Sequence, residues 1–276
     1  MDDRHSLYLD LMRKVLLFEL WNEEDLWRPA LFDPRPLYKK WIVDLVVKHL
    51  AKTDRRIMEP VRFTDLERQF AGDWPTLAHT MIKGVSLEIL QRCCEKVILE
   101  RVPGDLIETG VWRGGACILM RAVLKSYDVK DRIVWAADSF AGLPSPDADK
   151  YPADSGDKHF AIDSLRVSLE EVKDNFARYG LLDDQVRFLK GWFRDTLPLA
   201  PIRELAVLRL DGDMYESTWD ALSSLYPKLS QGGYCIVDDY FLAGCRKAVL
   251  DYREQHGITE EIIDIDGLAV YWQRGS

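Results

Sequence analysis

An α/β fold is what this sequence predicts, with a mostly parallel sheet, helices on both of its faces and a helical segment in front. Three observations carry that expectation. Asp105-Leu-Ile-Glu-Thr-Gly-Val-Trp-Arg-Gly-Gly115 reads as a short apolar strand, a glycine turn and the opening of an apolar helix. From residue 102 onward strand-like and helix-like stretches alternate, the pattern of parallel strands joined by crossover helices. The chain then ends on two strand-like stretches, 260–264 and 268–273, separated by Asp266-Gly267, a strong hairpin signal.

Taken in order, residues 6–20 place Leu7, Leu11, Val15 and Leu16 at the helical period, with Ser6 as a candidate cap. Trp27 to Pro36 holds three prolines and cannot be one helix. Helical spacing resumes over 37–51 through Trp41, Leu45, Val46 and Leu50, breaks at Gly72-Asp-Trp-Pro75, and returns through Leu87, Leu90, Cys94 and Val97. Residues 1–100 therefore read as a helical cap or lid, and 101–276 as the α/β domain. Strands are expected at 105–109, 133–138, 186–190, 205–210 and 232–237, with helices at 115–127, 164–179, 217–229 and 242–256. The helix from Ala116 to Leu124 is apolar on nearly every side except at Arg121, so it should be buried. Residues 141–163, rich in Pro, Asp and Gly, are too long for an ordinary connection and read as a mobile active-site loop. Five parallel strands finished by a hairpin match the Rossmann-like, seven-stranded sheet of class I methyltransferases.

Composition narrows the function. The 276 residues are 47% hydrophobic and 30% charged, as expected of a soluble globular protein. No apolar run reaches membrane-spanning length, and the acidic start Met1-Asp-Asp-Arg-His lacks a signal-peptide core. Cys93, Cys94, Cys117, Cys235 and Cys245 form no C-x-x-C pair, which points to a reduced, cytoplasmic compartment. The net charge is −9, and residues 101–276 hold −8 of it. That argues against a nucleic-acid partner, which needs a basic footprint.

The candidate chemistry sits at strand ends. Gly110 and the pair Gly114-Gly115 let backbone approach a ligand, and the helix behind them offers free N–H groups. The spacing fits neither a dinucleotide fingerprint nor a Walker loop. Asp138, closing the second strand, could accept the ribose hydroxyls of a nucleoside. The indole of Trp192, after Gly191 and the third strand, could stack on an adenine ring. Leu208-Arg-Leu-Asp-Gly-Asp213 and Cys235-Ile-Val-Asp-Asp239 end the fourth and fifth strands, which such a sheet makes neighbours. Carboxylates converging there would repel unless a cation joined them, and all-oxygen ligands suit Mg²⁺, Mn²⁺ or Ca²⁺. Asp211, Asp238 and Asp239 are the expected metal ligands, leaving Asp213 as the expected base for a hydroxyl. The histidines show no paired spacing, although His79 and His159 could face the site.

Five segments in order carry a resemblance: Glu108-Thr-Gly-Val-Trp-Arg-Gly-Gly115, Ala137-Asp-Ser-Phe-Ala-Gly-Leu-Pro144, Gly191-Trp-Phe-Arg-Asp-Thr-Leu-Pro198, Leu210-Asp-Gly-Asp-Met-Tyr-Glu-Ser-Thr218 and Val237-Asp-Asp-Tyr240. Together they resemble the macrocin O-methyltransferase family, which methylates sugar hydroxyls of antibiotics with S-adenosylmethionine and Mg²⁺. The likeness covers residues 101–276, resumes at 72–82 and returns faintly at 6–11, while residues 22–70 depart from the family pattern. The resemblance implies a cofactor pocket of Glu108, Gly110, Asp138, Ser139 and Trp192, closed by Thr80 and Met81. Thr109, Gly114, Gly191 and Asp211 are expected to complete that pocket. It also implies Mg²⁺ on Asp211, Asp238 and Asp239, Asp213 as general base, a glycosylated or polyol small-molecule acceptor and a homo-oligomer. A catechol-type O-methyltransferase and a non-catalytic cofactor-binding protein are the alternatives.

Overall fold

The computed structural model describes residues 3–20 and 78–275, with short stretches at 27–29, 45–52 in part and 58–60. Trp41, the break at 72–75 and most of the helix expected over 37–51 lie outside the described residues. Helix α1 (Asp3–Leu16) starts three residues before the expected Ser6 and also ends early. It stops because Phe18 turns left-handed (φ 62°), with its N–H on the Val15 carbonyl and the Glu19 N–H on that of Lys14. Two short strands, β1 (Trp27–Pro29) and β2 (Met58–Pro60), pair antiparallel. Helix α2 (Gly84–Leu99) buries Leu87, Leu90, Cys94 and Val97, the spacing that marks it in the sequence.

The main sheet holds seven strands: β3 (Asp105–Thr109), β4 (Val134–Asp138), β5 (Val186–Lys190), β6 (Leu205–Leu210), β7 (Leu229–Val237), β8 (Ile263–Asp264) and β9 (Val270–Gln273). Their order is β5-β4-β3-β6-β7-β9-β8; all pairs are parallel except those made by β9, which runs antiparallel to both neighbours. The chain leaves β3 toward β4 on one side and returns through β6 on the other. Between them lies the switch point where open α/β sheets bind ligands. The expected strands are all present, β7 starting three residues earlier than its apolar run suggested.

Helix α3 (Gly115–Ser126) is buried from Gly115 to Leu124, Arg121 included. Burying that guanidinium works because Asp183 takes it at two points, Nε at 2.9 Å and Nη2 at 2.7 Å. Helix α4 (Leu169–Arg178) is shorter than the expected 164–179, since Ser168 caps it by accepting the Glu171 N–H at 3.2 Å. After the four-residue α5 (Phe193–Thr196), α6 (Tyr215–Leu225) gives way to a 3₁₀ turn, Tyr226–Lys228, at Pro227. Helix α7 (Ala243–His256) closes on Gly257 (φ 63°). One apolar core joins α1 to α4 to one sheet face through Leu16, Leu90, Ile118 and Phe176. A second, on the other face, packs Leu222, Leu225, Tyr252 and Trp272. All five cysteines are buried thiols. Among the described residues no helix is long and apolar enough to cross a membrane.

Candidate active site

The carboxyl ends of β3, β4, β6 and β7 open into a cavity of about 370 Å³, a size suited to a small-molecule ligand. The glycine turn forms one wall by omission. Gly110 sits at φ 90°, and a Cβ there would lie 1.6 Å from the Asp211 carbonyl oxygen, so the turn after β3 and the end of β6 touch as bare backbone. A Cβ on Gly115 would stand 2.5 Å from the His79 carbonyl and 2.6 Å from Thr80 Cβ. The segment leading into α2 thus lies against the start of α3, and Arg113 holds it by donating to the Ala78 carbonyl at 2.8 Å. Thr80 and Met81 reach the cavity in consequence.

Glu108, Gly110, Asp138, Ser139, Gly191, Trp192, Asp211, Asp213, Asp238 and Asp239 all line this one cavity. Two expected cofactor residues do not. Thr109 is 1% exposed within the sheet, and Gly114 is turned into the packing of α4, where a Cβ would meet Val172 at 3.1 Å and Phe176 at 3.3 Å. Asp138 spends its carboxylate locally, accepting the Val111 N–H and the Phe140 N–H at 2.7 Å each. It therefore shapes the glycine turn, whatever else it touches. Trp112 (φ 47°) and Asp213 (φ 60°) are left-handed non-glycine residues lining this cavity; such backbone strain clusters at working sites.

The acidic end is a charge problem. Asp211, Asp238 and Asp239 bring carboxylate oxygens within 4.8 Å of one another. Arg209, 1% exposed, answers part of this charge: it pairs with Glu108, with Asp211 at 2.7 Å and with Asp238 at 2.7 Å. One guanidinium facing these carboxylates and the nearby Asp213 leaves an excess of negative charge in a buried place. Burial first, and repulsion by Asp211 after it, push the pKa of Asp213 up to about 7. Burial also lifts Asp238 to about 7 despite Arg209, and raises Asp239 well above the carboxylate range. Three mutually repelling oxygen donors in a partly dry pocket form a donor set that fits a hard divalent cation. Asp213 stands beside this group, its N–H donated to Asp239 Oδ2 at 2.9 Å.

The chain matches the family described as macrocin-O-methyltransferase (TylF) over residues 5–274. It belongs to the macrocin O-methyltransferase family and is an O-methyltransferase. It is 50% identical over 274 residues to demethyldecarbamoylnovobiocin O-methyltransferase of Streptomyces niveus, covering 98% of this chain and 94% of that protein. It is 46% identical to 8-demethyl-8-(2,3-dimethoxy-alpha-L-rhamnosyl)-tetracenomycin-C 4'-O-methyltransferase of Streptomyces olivaceus, covering 99% and 94%. Among solved structures, that of the O-methyltransferase NovP superposes with a TM-score of 0.81 at 49% identity, covering 99% of this chain and all of the other.

Several residues of this O-methyltransferase site escaped sequence reading. Arg209 had a signal, a lone cation inside the apolar run Leu205–Leu210. Its partner Glu108 lies 101 residues away, which no local pattern reveals. Lys83 and Asp266, 3.3 Å apart, join the start of α2 to the hairpin turn at the cavity edge. Residues 141–163 are not a free loop: they carry two 3₁₀ turns and the start of a third, and are pinned by Asp154, whose carboxylate accepts the N–H of Tyr215 and of Glu216.

Proposed function

We propose that this enzyme transfers a methyl group from S-adenosylmethionine to a sugar hydroxyl of a glycosylated natural product, assisted by a divalent cation, Mg²⁺ by family resemblance. The convergence of Asp211, Asp238 and Asp239 beside Asp213 is the observation that carries this reading. The match to relatives whose names specify methylation of antibiotics, one on a rhamnosyl group, supports the acceptor class. Residues 101–276 would form the catalytic domain, with the segment before them as its lid.

Asp211, Asp238 and Asp239 would hold the cation. When bound, it would lower the pKa of an acceptor hydroxyl and orient its oxygens. Asp213 would take the hydroxyl proton as the hydroxyl oxygen accepts the methyl group; S-adenosylmethionine, when bound, would supply that methyl from its sulfonium and be left as a neutral thioether. Burial raises the Asp213 carboxyl above the ordinary aspartate range, which makes it a stronger base than an exposed aspartate. Gly110 and Gly115 let Asp211 and the Thr80 segment close against the turn that would receive the donor, Trp192 offers an aromatic face, and Thr80 and Met81 cover it.

Calorimetric titration of S-adenosylmethionine, with Mg²⁺ and with EDTA, tests the pocket, and a panel of glycosylated acceptors tests turnover. The expected result is cofactor binding by wild type, a Mg²⁺ signal lost in Asp238→Asn/Asp239→Asn, and kcat reduced at least about 100-fold in Asp213→Asn. Absence of cofactor binding under every condition, or full activity of Asp213→Asn, would sink the corresponding assignment.

A further inference from the structure

The connection between β4 and α4 brings to the cavity a histidine that the methyl-transfer chemistry leaves unused. Its anchor is Asp154, 3% exposed. Asp154 Oδ1 accepts the Tyr215 N–H at 2.6 Å, and Oδ2 accepts the Glu216 N–H at 3.0 Å. Met214, which opens α6, supplies no side-chain cap. The cap is therefore imported from a segment some 61 residues earlier. Gly244 leaves space for it, since a Cβ there would stand 2.9 Å from Asp154 Oδ1. Because α6 follows directly on Asp213 and Met214, one buried carboxylate ties this segment to the backbone that carries the candidate base.

Three residues after the anchor, Asp157 grips His159 twice. Its Oδ1 accepts the His159 backbone N–H at 2.8 Å, and its Oδ2 lies 2.7 Å from ring Nδ1. His159 lines the same cavity as Asp213. Burial opposes its protonation, but the bond to Asp157 and the charge of Asp213 outweigh that and raise its pKa, so the two side chains feel each other. With Nδ1 committed to a carboxylate, the ring's orientation and tautomer are set, and Nε2 remains for a ligand. Nε2 has no partner among the described residues. Metal-ligand duty is already met by three carboxylates, and Asp213 needs no further partner to take a proton. An acceptor bearing several hydroxyls does need a second protein contact that selects which of them faces the base.

We infer that His159 is an acceptor-binding residue whose Nε2 hydrogen-bonds a sugar hydroxyl adjacent to the one that yields its proton to Asp213, with Asp157 and Asp154 as positioning residues. This rests on the methyl-transfer reading and adds to it the recognition of a vicinal hydroxyl pair.

Steady-state methylation of the best acceptor from the panel, and of its analogue lacking the neighbouring hydroxyl, tests the inference at saturating S-adenosylmethionine and Mg²⁺. Wild type is compared with His159→Phe, His159→Gln and Asp157→Asn, and cofactor binding is followed calorimetrically in each. In His159→Phe the acceptor KM should rise about 10- to 100-fold, as for loss of a buried hydrogen bond, with unchanged cofactor affinity. His159→Gln should recover part of this, since its amide can still reach the hydroxyl, and Asp157→Asn should lie between wild type and His159→Phe. On the deoxy analogue, wild type and His159→Phe should be alike. Wild-type turnover with an equal acceptor KM in His159→Phe overturns the inference and leaves the methyl-transfer reading standing. A penalty undiminished on the deoxy analogue, or a loss of cofactor binding, overturns it too by assigning the histidine a structural role. If wild type methylates no acceptor of the panel, the sugar-hydroxyl reading fails, and this inference with it.

Discussion

The two walls of the cavity are built on opposite principles. The glycine turn after β3 works by leaving atoms out: backbone of Gly110 meets backbone of Asp211, and Gly115 meets His79 and Thr80, at separations no side chain permits. The acidic end works by crowding groups in: Asp211, Asp238 and Asp239 converge with Asp213 beside them, and the one buried guanidinium, that of Arg209, pairs with Asp211 and Asp238. The first wall is shape, satisfied in the folded chain as it stands. The second is charge left uncompensated, a cost that folding bears until a cation offsets it. Substitutions should therefore act with opposite signs on the two walls.

The largest effect is expected at Gly110. Gly110→Ala places a methyl inside the van der Waals radius of a backbone oxygen and demands a left-handed alanine as well. A loss of at least about 3 kcal/mol in chemical denaturation is expected, together with loss of cofactor binding. A wild-type-like denaturation midpoint would show that β3 and β6 do not approach as described. Next comes the opposite wall. Asp239→Asn removes a repelling charge while keeping an oxygen for the Asp213 N–H. In EDTA the variant should melt a few degrees higher than wild type, on the order of 1 kcal/mol of stabilisation, while losing the Mg²⁺-induced rise that wild type shows. A lower melting temperature in EDTA would break the contrast. Gly115→Ala should be milder than Gly110→Ala because its φ is not in the left-handed range and part of the clash is with a side chain. It should weaken S-adenosylmethionine binding about tenfold in calorimetry by displacing Thr80.

The smallest effect distinguishes two kinds of carboxylate by pH. Asp183 is held below the usual aspartate range, chiefly by its hydrogen bond to Arg121. Its contribution is fully present above the unfolded-state pKa and is lost as pH falls through the lower folded value, so Asp183→Asn should be slightly less stable than wild type above about pH 4 and converge on it in acid, flattening the acid-side slope of the stability curve. Asp238, raised to about 7 by burial, runs the other way. Its contribution is greatest below the ordinary carboxylate range and declines as pH climbs toward 7. Metal-free wild type should thus melt at a higher temperature at pH 6 than at pH 8, and Mg²⁺ should flatten that difference.

Much of this site is legible in the sequence because its signals are local. The strand–glycine–helix run at 105–124, the aspartates closing β4, β6 and β7, and the Asp266-Gly267 turn each declare themselves within one continuous stretch of chain. Thr109 and Gly114 show the limit of such reading. They belong to the right motif, but strand alternation and helix packing turn them off the cavity wall, which the motif alone does not encode.

The order of strands and helices, the buried α3, and the placement of acidic residues at strand ends were determined by the sequence, since hydrophobic period and turn chemistry are properties of neighbouring residues. The meeting of Asp211, Asp238 and Asp239 follows from neighbouring strand ends, but only the tertiary structure decided the partners that answer or surround them. Arg209 finds Glu108 from an adjacent strand, Asp154 caps a helix it does not precede, and Asp157 presents His159 to Asp213. Those pairings depend on strand register and on loops folding back over the sheet. Their partners are selected by distance in space, where an unpaired buried charge is costly, and not by spacing along the chain.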